Sequence, residues 1–256
     1  MQSDAFFSAA DYVAYRTRAG KPIVDVAPEG VVFVYDRTLM NNIAACEDLK
    51  AIDLFSGEAH LLNCFAGKIA VVNVPGIGPS SVVTALEEFI ALGVKKFMSV
   101  GLAGGLQPTL KVGDFVVCSR AIRDEGVSGH YLPFAQYIEL TPELRTCITT
   151  ELESRGIVYT IGTTWTIDAP FRETRTALAA HQANGVLTVE METSALAAVA
   201  ECRAVEFAAA FVVSDLLADM IWDPEFRSTI VSENLKLLYE IAVASLVKGP
   251  YCLPPK

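Results

Sequence analysis

Short apolar runs alternate with longer amphipathic stretches along most of this chain. The apolar runs are rich in β-branched and aromatic residues and predict six buried strands, at residues 31–35, 69–74, 96–101, 114–119, 158–164 and 207–214. The amphipathic stretches predict four helices, at residues 79–92, 140–155, 193–202 and 228–247. Thr141 is the expected cap of the second helix, since Pro142 suits a first helical turn. This alternation predicts an α/β protein with one mixed sheet and helices on both faces.

Domain organisation and composition narrow the classes of protein. No repeat, low-complexity tract or long linker divides the 256 residues, so we expect a single domain over residues 1–256, with residues 1–28 as an N-terminal extension. A composition that is 52% hydrophobic and 20% charged indicates a folded chain. The net charge of -10 argues against nucleic acid as a partner, because an acidic surface repels phosphate backbones. Charged residues interrupt the longest apolar region, 194–213, which argues against a membrane span.

The cysteines point to a reducing compartment. The chain has six of them, with no CxxC pair and no Cys/His cluster: Cys46, Cys64, Cys118, Cys147, Cys202 and Cys252. We therefore expect free thiols, a cytoplasmic location, no metal and no organic cofactor.

The glycine-rich stretch at residues 101–105 follows an apolar strand, where ligands bind in open α/β sheets. We interpret it as a tight turn that lets backbone approach a ligand, because glycine has no Cβ. It is not a P-loop, since no Gly-Lys-Ser/Thr follows, and the coming Pro108 argues against a dinucleotide-binding turn. A turn without function is the alternative.

Two further segments place carboxyl groups at the ends of apolar runs. Glu190 and Glu192 flank Met191 where the third helix begins, so they either cap that helix or accept hydrogen bonds from sugar hydroxyls. Asp215 follows Ser214 at the end of an apolar strand, where it either caps the next turn or acts as a general acid with a raised pKa. A polar loop at 122–133 carries His130, which lines a site or is solvated.

These segments, in this order, resemble the nucleoside phosphorylase superfamily, which includes purine nucleoside phosphorylases, uridine phosphorylases, methylthioadenosine nucleosidases and AMP nucleosidases. The most specific marks are Val100-Gly101 with Gly104-Gly105, Lys111-Val112-Gly113-Asp114, Val189-Glu190-Met191-Glu192 and Val213-Ser214-Asp215. The resemblance extends from Val31 onward. It implies a single three-layer α/β domain whose central mixed, partly barrel-like β-sheet is flanked by helices.

The resemblance also implies roles for individual residues. Glu192 would bind the ribose hydroxyls with Met191 packed on the sugar, and Glu190 would lie beside them. Asp215 would protonate N7 of a leaving purine, and Phe171 would stack on the base. The other residues it places at the substrate are Ala103, Gly104, Ser214, Arg172 and His130. The implied reaction is cleavage of the N-glycosidic bond, by phosphorolysis to free base and ribose or deoxyribose 1-phosphate.

The usual phosphate-binding positions depart from the family pattern. Ser99 stands where relatives carry arginine, Leu102 replaces a small hydroxyl residue, and Met40 replaces the N-terminal arginine. Arg37, Arg172 or Arg175 would then have to supply the positive charge, since buried phosphate needs charge-assisted donors.

Four functional alternatives stay open on the sequence. Phosphate attacks the sugar, or water attacks it with Asp36 as the nearest base. The substrate is a nucleoside or, as in AMP nucleosidase, a nucleotide whose 5′-phosphate Arg172 or Arg175 would hold. A catalytically silent nucleoside-binding protein is the remaining alternative. The expected partners are the nucleoside, inorganic phosphate as co-substrate and further copies of the chain, in a dimer or hexamer.

Overall fold

The computed structural model describes residues 5–55, 57–74, 76–248 and 251. The helices are α1 (Ala9–Arg18), α2 (Arg37–Cys46), α3 (Pro79–Ala91), α4 (Pro142–Ser154), α5 (Arg175–Ala183), α6 (Thr193–Arg203) and α7 (Thr229–Val247). The strands are β1 (Gly30–Val34), β2 (Leu49–Leu54), β3 (Gly57–Leu62), β4 (Ile69–Asn73), β5 (Lys96–Gly105), β6 (Phe115–Asp124), β7 (Tyr137–Glu139), β8 (Tyr159–Ile167), β9 (Thr188–Glu190), β10 (Glu206–Leu216) and β11 (Asp223–Pro224).

Five strands of the central sheet close on themselves. β10 pairs with both β5 and β6, β6 pairs with β8, β8 with β9, and β9 returns to β5. From β5 the sheet continues outward through β1 and β4, which run parallel to it, to the antiparallel β3 and β2. The prediction of a mixed, partly barrel-like sheet is confirmed.

Helices cover the sheet on both faces. Successive residues of β1 alternate between two hydrophobic clusters: Val31 and Phe33 pack with α3 and α6, whereas Val32 and Val34 pack with α2 and α7. Because both faces are covered, every residue of β1 is buried and the strand reads as an unbroken apolar run. The three-layer prediction is confirmed. No helix in the described ranges is long and apolar enough to cross a membrane.

The predicted glycine-rich turn is wrong. Residues 101–105 continue β5 as strand, with Gly104 paired to Val189 of β9 and aligned with Asp215 of β10. A Cβ at Gly104 would come 2.6 Å from Leu217 Cδ1, so glycine here permits close strand packing rather than a turn. Residues 165–167 and 215–216 likewise extend β8 and β10 beyond the strands expected at 158–164 and 207–214.

Some local details also differ from expectation. The stretch from Arg37 forms α2, whose N-cap Asp36 accepts a hydrogen bond from Leu39 N at 2.6 Å. Thr141 occupies the N-cap position of α4, but its hydroxyl accepts from Phe207 N at 3.0 Å, so it bonds β10 instead of its own helix. The apolar pattern missed the short or edge elements, namely α1, α2, α5, β2, β3, β7, β9 and β11.

Candidate active site

A cavity of about 680 Å³ opens where β5, β9 and β10 end. Its polar lining comes from the three strands, from Tyr35 and Asp36 after β1, and from the segment around Phe171. The parallel strands β1, β5 and β10 have their carboxyl ends on this side, which is the usual place for a ligand in such sheets.

Glu190 fixes the start of α6 from inside the protein. Its Oε1 accepts from Thr166 Oγ1 at 2.5 Å, and its Oε2 accepts from Glu192 N at 2.9 Å and from the amide and hydroxyl of Thr193, both at 2.8 Å. Burial raises the pKa of Glu190, which is only 7% exposed, and these four hydrogen bonds oppose the rise. Glu190 lines the cavity, but its bonds make it the cap of α6.

Glu192 is the second buried carboxyl of the cavity wall. It is 8% exposed, and its Oε1 accepts from Gly78 N at 2.6 Å. Burial, and then the charge of Glu190, raise the pKa of Glu192 to about 8. Gly78 precedes α3 with φ of +96°, a conformation that glycine adopts without strain and that turns its N–H toward the carboxylate. Contacts far apart in the chain therefore hold Glu192 in place.

Asp215 lies at a bulge in β10. Val213 aligns with Ala103 and Asp215 with Gly104, so Ser214 is the additional residue. Ser214 Oγ donates to Asp215 Oδ1 at 2.8 Å, and Trp222 Nε1 donates to Oδ2 at 3.0 Å. Burial raises the pKa of Asp215, and these two hydrogen bonds oppose the rise. The result is a carboxyl that is fixed, nearly dry and easier to protonate than usual.

The mouth of the cavity carries an exposed aromatic ring and a third acid. Phe171, in a single 3-10 turn, is 98% exposed and lines the cavity. Glu173 follows it, and burial, then the charge of Asp215, raise the pKa of Glu173 to about 7. An exposed aromatic ring and a titratable group thus lie on one short segment.

The expected phosphate-binding residues divide between the cavity and the surface. Ser99, Leu102 and Arg175 line the cavity, and Ser99 Oγ is 2.9 Å from Tyr35 Oη. Arg175 is bound to Met220 O at 3.2 Å. Arg37 is exposed in the first turn of α2, whose Leu39 and Met40 are buried, and it does not line the cavity. Its expected phosphate role stays a prediction that the cavity does not support.

Two further expected substrate residues lie outside the cavity wall. Arg172 ends the 3-10 turn as an exposed residue. His130 belongs to the 3-10 turn at 128–130, which Glu125 holds through Val127 N at 2.6 Å. The cavity of this chain therefore gives no support to their expected substrate contacts, which stay predictions.

The other expected site residues share the cavity: Ala103, Gly104, Phe171, Glu190, Met191, Glu192, Ser214 and Asp215. Sequence reasoning missed Tyr35, Gly78, Glu173 and Trp222. Tyr35 ends the apolar run of β1, a signal that could have singled it out. Gly78, Glu173 and Trp222 carry no periodic signal, because their places depend on tertiary contacts.

The cavity wall is strongly acidic. Among the described residues that line the cavity, Arg175 is the one arginine or lysine. Five lining residues carry carboxyl groups: Asp36, Glu173, Glu190, Glu192 and Asp215. Nowhere in the described ranges do three or more His, Cys, Asp or Glu side chains cluster as a metal site would require. The arrangement can bind hydroxyl and N–H donors and deliver a proton.

Comparisons with known proteins show which family this chain resembles. Residues 31–246 match the model of the phosphorylase superfamily. Uridine phosphorylase of Escherichia coli K12 is 29% identical over 144 residues, covering 51% of this chain and 57% of that protein. The match thus spans little more than half of that relative.

A second relative and a solved structure extend the similarity over more of the chain. A DeoD-type purine nucleoside phosphorylase of Caldanaerobacter subterraneus is 27% identical over 204 residues, covering 77% of this chain and 86% of that protein. The crystal structure of uridine phosphorylase from Vibrio fischeri superposes with a TM-score of 0.73 at 22% identity, over 88% of this chain and 93% of the other. The chain therefore belongs to the phosphorylase superfamily.

Proposed function

We propose that the chain cleaves the N-glycosidic bond of a nucleoside by phosphorolysis, releasing the free base and ribose or deoxyribose 1-phosphate. The observation that carries the proposal is the pair of buried carboxyls, Glu192 and Asp215, in one cavity of about 680 Å³. Inorganic phosphate is the proposed co-substrate, in keeping with the named activities of the similar proteins.

Asp215 is the proposed general acid. As the bond from C1′ to the base nitrogen breaks, its electron pair moves to the base, and Asp215 delivers a proton to N7 of a purine. The raised pKa of Asp215 supports this role, because it makes the carboxyl easier to protonate than an ordinary aspartate. The exposed ring of Phe171 would stack on the base at the mouth.

Glu192 is the proposed partner of the ribose hydroxyls, with Met191 against the sugar face. Two vicinal hydroxyls can donate to one carboxylate, and Glu192 lines the cavity beside Met191. Charge that develops on the ribosyl group in an oxocarbenium-like transition state would be stabilised by the ionised Glu192, which is the main form of the free protein only above its pKa of about 8. Glu190 supports this geometry by capping α6.

Phosphate would bind on the side of Ser99 and Tyr35, whose hydroxyls lie 2.9 Å apart. Arg175 is the proposed source of charge, and it would have to leave its bond to Met220 O. A phosphate oxygen would then form a bond to C1′ as the base departs. With one arginine against five carboxyls, phosphate is expected to bind weakly.

The acidic wall specifically favours a second candidate, hydrolysis. Water needs no cation, and Asp36 lines the cavity as a base that could accept its proton. The same charges disfavour a nucleotide, since its 5′-phosphate would enter among carboxyl groups.

Product identity separates the two candidates. A panel of purine and pyrimidine nucleosides is incubated with and without inorganic phosphate, and free base, ribose and ribose 1-phosphate are measured. Strict phosphate dependence with ribose 1-phosphate is expected, and Arg175→Ala is expected to raise the KM for phosphate about tenfold or more. Release of free ribose at the same rate without phosphate would establish hydrolysis, and no cleavage of any nucleoside would refute the proposal.

We also propose a cytoplasmic homo-oligomer. Free thiols support the location, since the five cysteines Cys46, Cys64, Cys118, Cys147 and Cys202 form no disulfide in the described structure. Exposed aromatic side chains support self-association, notably Phe134 at 94% and Phe171 at 98% exposure. Sedimentation of the purified chain and fractionation of expressing cells test both, and a monomer or an exported protein would contradict them.

A further inference from the structure

The chain folds back over the cavity directly after β10. Residues 217–226, here called the return segment, reverse at Met220, whose φ is +57°. β11 then pairs antiparallel with the end of β10, with Asp215 opposite Pro224. Glu225 N donates to Ser214 O at 2.9 Å. The return segment is thus attached at the bulge that carries Asp215.

Trp222 connects this segment to Asp215. The Trp222 side chain lines the cavity and is 62% exposed, yet its Nε1 lies 3.0 Å from the Oδ2 of an aspartate that is 8% exposed. The ring also lies beside that of Phe226, with centroids 6.2 Å apart, and the hydrogen bond directs its N–H to Asp215. Indole N–H is a donor only, whereas the Ser214 hydroxyl at Oδ1 can either donate or accept.

The hydrogen bonds from Trp222 and Ser214 affect the two carboxyl oxygens of Asp215 differently. Trp222 can stabilise the ionised carboxylate but offers no acceptor to a protonated oxygen. A proton on Asp215 is therefore favoured on Oδ1, where Ser214 can rotate to accept it. We propose that Trp222 is a positioning residue for Asp215, which orients the carboxyl, directs its proton to Oδ1 and sets the pH at which it can act as an acid. The inference rests on the proposed function of this site.

Other groups in the cavity could contribute to the same pH response. The titratable or charged residues that share it with Asp215 are Tyr35, Asp36, Glu173, Arg175, Glu190 and Glu192. Glu173 is the most direct competitor, because its pKa of about 7 responds to the charge of Asp215. The experiment must therefore separate Trp222 from Glu173.

The first test is the pH profile of kcat/KM in Trp222→Phe, which keeps an aromatic ring and removes the N–H. Without this donor the pKa of Asp215 rises, so the alkaline limb is expected to move up by about one pH unit. The shift should persist in a Glu173→Gln background. The matched control is Ile221→Val, on the same segment and also in the cavity wall, which should leave the limb in place whatever it does to the rate. An unmoved limb in Trp222→Phe would overturn the inference.

The second test does not depend on turnover. The chain has two tryptophans, and the other, Trp165, is 1% exposed and donates to Asp124 Oδ2 at 2.9 Å. The ring of His181 lies 4.4 Å from Trp165, so emission is measured in a Trp165→Phe background, where Trp222 is the remaining tryptophan. Emission of this protein should show a pH-dependent step as Asp215 titrates beside Trp222, and adding Asp215→Asn should abolish the step. A step that survives Asp215→Asn would refute the contact. A protein that cleaves no nucleoside but shows the step would refute the proposed function alone.

Discussion

Replacing Glu192 by Gln should lower activity and raise stability at alkaline pH in one substitution. Glu192 is 8% exposed and carries a pKa raised to about 8, because burial and Glu190 both disfavour its charge. Gln keeps an oxygen that can accept from Gly78 N but carries no charge to desolvate. Above pH 8 the side chain of Glu192 therefore carries a buried charge that lowers the stability of the folded protein.

The stability change can be worked from the pKa. The ordinary value is 4.5 and the folded value about 8, a rise of 8 − 4.5 = 3.5. At about 1.36 kcal/mol for each pH unit, the ionised group disfavours folding by about 5 kcal/mol. The sign follows from proton uptake: between pH 4.5 and 8 the folded chain keeps a proton that the unfolded chain releases. Stability therefore falls as pH rises through this window and changes no further above it.

Urea unfolding at pH 5 and pH 9 measures how much stability the folded protein loses when Glu192 ionises. Wild type should lose several kcal/mol more between the two pH values than Glu192→Gln loses, with the term of about 5 kcal/mol as the upper bound. The matched control is Glu201→Gln, the same substitution at an exposed position of α6, which should follow wild type. Equal losses in wild type and Glu192→Gln would show that the carboxyl is not held at a raised pKa.

Activity should change in the opposite direction. Gln offers one acceptor oxygen where the carboxylate offers two, and it provides no charge opposite an oxocarbenium-like ribose. We expect kcat/KM to fall by about 2–4 kcal/mol, or roughly 30- to 1000-fold. Steady-state kinetics on the best nucleoside measures it, and turnover near the wild-type value would remove Glu192 from the ribose site.

Three further substitutions test the rest of the site. Asp215→Asn should lower kcat by about 10²–10⁴-fold with little change in KM, as loss of a general acid requires, and steady-state kinetics showing only a raised KM would contradict that role. Gly104→Ala should lower the free energy of unfolding by about 1–3 kcal/mol in urea, because the new Cβ would lie 2.6 Å from Leu217 Cδ1; no change would mean that Leu217 yields. Glu190→Gln should destabilise the protein by about 2–3 kcal/mol in the same assay, since four donors lose their charged acceptor, and a stabilised variant would refute its capping role.

The sequence by itself determined the main architecture and the key carboxyl groups. Buried strands such as β1 must be apolar along their whole length, so their pattern survives in any context and predicts the layered sheet. Glu192 and Asp215 were candidates because each is polar at the end of an apolar run, and the resemblance to the superfamily supplied the roles expected of them. An apolar run that ends in a polar residue is a local signal, and so is the glycine pattern at residues 101–105.

Only the tertiary structure decided how those residues meet. Residues 101–105 read as a turn in isolation, but β9 and β10 approach so closely that the glycines belong inside a strand. Glu190 and Glu192 both line the cavity, but their bonds differ: Glu190 accepts from the first amides of α6, whereas Glu192 accepts from Gly78 N ahead of α3.

The phosphate candidates and the neighbours of Asp215 were likewise decided by distant contacts. Arg37 and Arg175 were equal choices along the chain, yet only Arg175 lines the cavity. Trp222 reached Asp215 because β11 folds back on β10, a pairing that leaves no periodic pattern. Hydrophobic periodicity records which face of an element is buried, whereas the partners of a polar side chain depend on the packing of the whole fold.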